Sequence, residues 1–188
     1  MSGTDRAAAA HDAVERLARL LPGPHRGRVK DWTAVEAALG SGLPRDYREF
    51  VERIGGGHVD GYLYVLEPDS PNAYHDLVDA AEERAEAFAH LWGSSEEPPA
   101  ELRGSGARLI PWASTDNGEF LYWLVRPGRH PDAWTVMVDA AREERWEHVD
   151  LPFAGFLLAT LTGRFRSGIL TDAFPTAPHT FTPLAPPH

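Results

Sequence analysis

The chain contains no cysteine, which excludes disulfides, zinc–thiolate sites and thiol nucleophiles. Lysine is nearly absent too: Lys30 is the only one, and every other basic side chain is arginine. Positive charge is scarce overall, with 18 Lys and Arg against 28 Asp and Glu and a formal net charge of −10. Such a surface repels a phosphate backbone, so no nucleic-acid partner is expected, whereas a basic protein partner suits it. Long apolar runs are also missing. Residues 1–6 are polar, and the alanines that follow sit among Asp12, Glu15, Arg16 and Arg19. With no signal-peptide core and no stretch able to span a bilayer, a cytoplasmic location without a membrane partner is the expectation.

Catalytic patterns are lacking in the same way. The nine histidines are scattered, with no His-x-His and no His-Glu-x-x-His, so no metal site is expected. His58 with Asp60 is the most suggestive pair, and a turn into a strand explains it. Ser114-Thr115-Asp116 lies outside any Gly-x-Ser-x-Gly elbow and reads as part of a hairpin turn. The glycine triplet at 55–57 follows a helix and precedes a strand. A phosphate cradle needs the reverse order, so that backbone N–H groups and a helix N-terminus face the anion. The expectation is therefore a non-enzyme with no catalytic, cofactor-binding or metal-ligating residues and no cofactor.

What the chain does have is clear punctuation. Val14, Leu17, Ala18 and Leu21 recur at helical spacing before Pro22-Gly23-Pro24 stops the helix. Asp31 caps a short helix with the stripe Trp32, Val35 and Leu39, closed by Gly40 and Gly42. Next, Pro44 takes the first helical position and Asp46 lies in the first turn, near the positive end of the dipole. Leu43, Tyr47, Phe50, Val51 and Ile54 form one apolar face, and Gly55-Gly56-Gly57 supplies left-handed positions for the exit. Gly61 marks a turn before the β-rich run 62–66. A helix from Pro71-Asn72 carries Leu77, Ala81, Ala85, Phe88 and Trp92 inside, with Asp79, Glu82, Glu83 and Glu86 outside. An acidic loop with Glu96 and Glu97 follows.

The period then changes from helical to alternating. Leu109-Ile110-Pro111-Trp112 and the run 119–125 flank Asp116-Asn117-Gly118, where Asn-Gly accepts the positive φ angles of a tight turn. The run 120–125 is apolar on both sides, as in a central strand covered on both faces. Residues 134–138 return, residues 145–149 add an edge strand, and an apolar helix covers about 151–162. Beyond Thr171 the prolines predict a disordered or loosely draped tail. The fold class is α+β: a single domain with a mostly antiparallel sheet of about five strands and helices packed against it. Three parts are expected: a helix and linker at 1–30, the domain at 31–163, and a Pro-rich tail at 164–188.

The pattern Leu43-Pro44-x-Asp46-Tyr47-x-x-Phe50, then Gly55-x-Gly57, resembles the SUKH superfamily, the Smi/Knr-like group. Leu109-Ile110-Pro111-Trp112, Asp116-Asn117-Gly118-Glu119 and the aromatic strand after them extend the resemblance, as does the terminal helix with Phe153 and Phe156. The resemblance implies an α+β fold on one central sheet. It further implies an immunity protein that binds and neutralises a cognate toxin, often a nuclease, from an interbacterial competition system. The alternative it leaves open is a general interaction or regulatory module with no toxin partner. Candidate partner-binding residues are Glu82, Glu83, Glu86, Glu96, Glu97, Asp116, Glu119 and Tyr62. Two readings of the acidic set stand side by side, a solvated helix face or a patch that docks on a basic toxin cleft. The aromatic set of Trp92, Trp112, Trp123, Trp134, Trp146, Tyr62, Tyr64 and Tyr122 is core, or in part an exposed interface.

Overall fold

Each strand of the chain pairs antiparallel with its neighbours. A computed structural model describes residues 3–94 and 96–187. Met1, Ser2, Ser95 and His188 lie outside the described residues, and side chains are described from Ala8 onward. The elements are α1 (Gly3–Leu20), α2 (Trp32–Leu39), α3 (Arg45–Arg53), β1 (Gly57–Val59), β2 (Leu63–Val65) and α4 (Leu77–Ser94). After these come β3 (Arg108–Thr115), β4 (Phe120–Val125), β5 (Thr135–Asp139), β6 (Trp146–Val149), α5 (Phe153–Leu161) and β7 (Phe181–Pro183). The strand order is β6-β5-β4-β3-β2-β1-β7. Strands β1 to β6 thus form a meander in chain order, and β7 returns from the C-terminus to the edge of β1.

The sheet has seven strands where about five are read from the sequence. Both additions are short. The first, β1, follows the glycines and has no apolar run to announce it. The second, β7, lies in the Pro-rich tail expected to be disordered or loosely draped, and here the structure corrects the sequence reading. Leu170, Phe174, Phe181 and Leu184 are buried, and β7 pairs with β1 along its length. Asp60 holds the return in place: its carboxylate accepts from Thr176 N at 3.1 Å and Thr180 N at 2.8 Å, and meets His179 Nδ1 at 2.9 Å. Few apolar side chains suffice here because a carboxylate and a free strand edge satisfy the tail's backbone donors.

Local signals set the helix ends. Asp31 caps α2 by accepting from Ala34 N at 3.1 Å, and Gly40 ends it with φ 63°. Pro44 sits at the N-cap of α3 with φ −59° and ψ 139°, one position earlier than expected. Asp46 is buried, and its two oxygens face two helix starts. Oδ1 accepts from Tyr47 N in α3 and Oδ2 from Ala154 N in α5, each at 2.8 Å. Burial raises its carboxyl to about 6, with these backbone bonds opposing the rise. Within the glycine triplet only Gly55 needs the left-handed region, at φ 90°. Gly57 serves close approach instead: a Cβ there would lie 2.3 Å from the Phe181 ring of the tail. In the β3–β4 hairpin Gly118 takes φ 95° while Asn117 does not share it, and Thr115 N bonds Glu119 O at 3.0 Å across a three-residue turn.

The sheet is covered on both faces, as the sequence of β4 predicts. On the first face Trp112, Leu121, Trp123, Val136 and Val138 meet α3 and α5, and α1 packs on both of those helices. Phe153 is the hub of an aromatic cluster, edge-on to Tyr47, Phe50 and Trp112 at 5.3, 5.3 and 4.9 Å. The Tyr47 hydroxyl donates to Leu66 O at 2.7 Å, which leaves no unpaired oxygen in the cluster from that side chain. Pro111 and Trp112 lie at a register shift in β3. On the second face Tyr122, Leu124 and Met137 meet Phe88 of α4 and Leu102.

Candidate functional site

The second face of the sheet carries the side chains that reach solvent in numbers. Its principal element, α4, starts at Leu77 because Asp76 caps it: Asp76 Oδ1 accepts from Val78 N at 2.8 Å and Asp79 N at 3.2 Å. Asn72 caps only the short 3-10 turn Ala73–His75 before it. The buried residues of α4 are Leu77, Ala80 and Phe88, a stripe turned slightly from the expected one. The reason is Arg84, which points inward. Its Nε donates to the Tyr122 hydroxyl at 3.1 Å, and its guanidinium lies 4.9 and 4.8 Å from the Phe88 and Phe120 ring centres. Arg84 Nη2 also sits 3.7 Å from Asp139, whose carboxyl is pushed up to about 6 by burial, Arg84 opposing the rise.

One stripe of the outward side of α4 is acidic. Asp79, Glu82, Glu83 and Glu86 are exposed and share one stripe, at i, i+3, i+4 and i+7. Among the described residues no basic side chain lies within ion-pair distance of these four. The like charges oppose each other at a cost of a few tenths of a kcal/mol per pair, with nothing inside the chain to offset it. Glu97 is exposed and lies 3.3 Å from Arg103, while Glu96 is half-buried in the following loop.

Next to α4, strands β1 to β3 present an aromatic stack. His58 and Tyr64 are register partners with rings 3.9 Å apart and 1° from parallel. His75 stacks on Tyr64 at 4.1 Å and 12°. Asp116, exposed on the hairpin turn, places Oδ2 3.3 Å from His58 Nε2. Burial lowers the pKa of His75, and the nearby His58 lowers it further. Burial raises that of Tyr64, with Asp116 adding to the rise. Tyr74 at the stack's edge is 83% exposed. The three stacked rings are half-buried at the surface.

Two candidate residues are elsewhere than expected. Tyr62 and Glu119 are buried. The Tyr62 hydroxyl donates to Glu119 Oε2 at 2.9 Å and accepts from Thr171 N at 3.3 Å. Glu119 also takes a short hydrogen bond from the Thr115 hydroxyl. Together they fasten the hairpin and the start of the tail. The suggestive pair of His58 with Asp60 is likewise split, His58 facing Asp116 and Asp60 holding the tail. Of the aromatic set, Trp112, Trp123, Trp134 and Tyr122 are core, whereas Trp92, Trp146 and Tyr64 are half-buried on the second face. Sequence reasoning passed over His75, whose only signal was its place beside a cap, and the inward turn of Arg84, which had none.

No group of three or more His, Asp or Glu side chains suited to a metal ion occurs among the described residues. Nor is any described helix long and apolar enough to cross a membrane. The family model that matches the chain is the SMI1 / KNR4 family (SUKH-1), over residues 29–158. The chain belongs to this family. Comparison with curated proteins and with solved structures found no match. The matched SUKH-1 span starts just before α2 and ends within α5, so it takes in the meander, α4 and the stack. Helix α1 and the tail with β7 lie beyond it, although both pack into the same core.

Proposed function

We propose that this SUKH-1 protein is a non-enzymatic immunity protein, which neutralises a cognate toxin of an interbacterial system by binding it directly. The observation that carries this reading is the unpaired acidic stripe of α4. Asp79, Glu82, Glu83 and Glu86 repel one another on one helix face, and the arginine within that helix is turned away from them. A face that costs the monomer stability becomes favourable when a basic surface covers it. A toxin that cleaves nucleic acid has such a surface, because its cleft must attract phosphates. The candidate contact residues are Glu82, Glu83 and Glu86, with Glu96, Glu97 and Asp116 at the margins. This reading places the protein in the cytoplasm and gives it a protein partner, not a nucleic acid.

The test is co-expression with the toxin encoded by the neighbouring gene. Growth is expected to be restored, and killing despite abundant folded protein would defeat the proposal. Triple charge reversal at Glu82, Glu83 and Glu86 is expected to lower affinity and flatten its salt dependence. A pull-down that recovers housekeeping proteins in place of a toxin would instead favour a general interaction module.

A further inference from the structure

Between α4, the end of α2 and strand β3 runs an apolar groove of about 580 Å³. Its floor is Leu39, Phe88, Leu102 and Ile110, and Val78 and Trp92 stand at its two ends along α4. It stays open because α4 presents alanine where a longer side chain would fill it. Ala81, Ala85 and Ala89 face the groove at i, i+4 and i+8, and Ala85 and Ala89 are exposed. The inward turn of Arg84 contributes, since it rotates these alanines off the sheet and toward the gap.

The charges on the two rims differ. On the α4 side Glu82 lines the groove, and the unpaired stripe with Glu83 and Glu86 continues round the helix from it. Across the groove stands Arg108 of β3. It donates from Nη2 to Leu39 O at 3.0 Å, and among the described residues no carboxylate lies within ion-pair distance of it. Partial burial lowers its pKa, with no acidic neighbour to oppose the change. Arg108 is exposed overall, held at one nitrogen by a backbone carbonyl and without a counter-ion among the described residues, so its free N–H groups can take a carboxylate.

We infer that this groove receives an amphipathic segment of the toxin, with apolar side chains inserted between α4 and β3, Lys or Arg along the α4 rim and a carboxylate on Arg108. The inference rests on the proposed function and specifies the contact. Charge complementarity selects the occupant. A fatty acid would match Arg108 but would lay its chain beside Glu82 and leave the acidic stripe uncovered. A purely basic segment would match the stripe and collide with Arg108. Only a segment with opposite charges on its two edges satisfies both rims.

The test uses the full chain and the catalytically inactivated toxin domain from the neighbouring gene, with affinity read by calorimetry. Ala85→Trp fills the groove from an exposed position, and Arg108→Glu reverses the far rim. Each is expected to weaken binding at least about tenfold, as for loss of a central anchor. Because the chain has no cysteine, Ala89→Cys offers a single labelling position for an environment-sensitive dye. Its emission is expected to shift to the blue on adding toxin, while a label at Arg164→Cys is not expected to respond. Thermal melts show whether each variant is folded, and the Ala89→Cys readout stands even if Ala85→Trp is not. Failure of the wild-type chain to bind the toxin would overturn the proposed function and this inference with it. Wild-type binding that persists in folded Ala85→Trp or in Arg108→Glu, or a silent Ala89 label, would overturn this inference alone. So would displacement of a bound cis-parinaric acid probe by Ala85→Trp with toxin affinity unchanged, since the occupant would then be a lipid.

Discussion

The two faces of the sheet are built from similar residues and end differently. The first face is sealed by three mutually packed helices, α1, α3 and α5, with Tyr47, Phe50, Trp112, Trp123 and Phe153 fully buried. The second face has the long helix α4, which packs on β3, reaches Tyr122 of β4 and Asp139 of β5 through Phe88 and Arg84, and leaves the His58, Tyr64 and His75 stack half in solvent. Both begin from alternating aromatic strands, so strand composition does not separate them. The difference lies in the helices. Helix α3 places its charged residues away from the sheet, whereas α4 spends its arginine on the sheet and turns carboxylates and alanines outward. The first face stabilises the fold, and the second is the face that the proposed function assigns to a partner.

Substitutions should separate the faces in size of effect. Phe153→Ala removes the hub of the first-face cluster and is expected to cost about 3–5 kcal/mol by urea unfolding. A smaller loss would mean that the aromatic layer can collapse into the space. The half-buried Trp146→Ala on the second face should cost less, about 1–2 kcal/mol by the same measurement. Equal losses would erase the contrast.

The contrast also has a pH signature. Burial lifts Asp46 from an ordinary 3.8 to about 6 in the folded chain. Between those values the native state keeps a proton that the unfolded chain has released. This group's contribution to stability is therefore greatest at low pH and declines as pH rises from about 4 through 6, by up to about 2–3 kcal/mol. Asp139 on the second face shifts in the same direction, also to about 6, and adds a slope of the same sign. Asp46→Asn should remove the Asp46 part of the slope at the expense of one backbone acceptor, and urea midpoints at several pH values would show it. Smallest of all, Glu83→Lys should change stability by no more than about 0.5 kcal/mol, and favourably, because it relieves repulsion with Asp79 and Glu86. A clear loss would show that the stripe supports the fold and is not held ready for a partner.

Much of the first face was legible in the sequence. Leu43, Tyr47, Phe50 and Ile54 announce a buried helix by spacing, and Pro44 and Gly55 announce its ends, with Pro44 one position off. The outward carboxylates Glu82, Glu83 and Glu86 were equally legible, since they share one helix face. The burial of Tyr62 and Glu119 was not legible, because they flank turns and turns are ordinarily exposed. Their burial depends on the tail, and the tail's own sequence resembles a disordered one.

What the sequence determined by itself was most of what near neighbours carry: the helices and their caps apart from the start of α4, the strands β2 to β6, the acidic balance and the family pattern that the match over residues 29–158 bears out. Periodicity and capping act within a few residues, so they can be read from a local window. Only the tertiary structure decided that Asp46 spans 108 residues to start α5 and that Asp60 spans 119 to hold His179. It also decided that Arg84 turns inward and that Arg108, across an open groove, has no carboxylate within ion-pair distance among the described residues. A buried carboxylate or a stranded guanidinium has no local signature, because its partner, or the lack of one, is set by which distant surfaces meet.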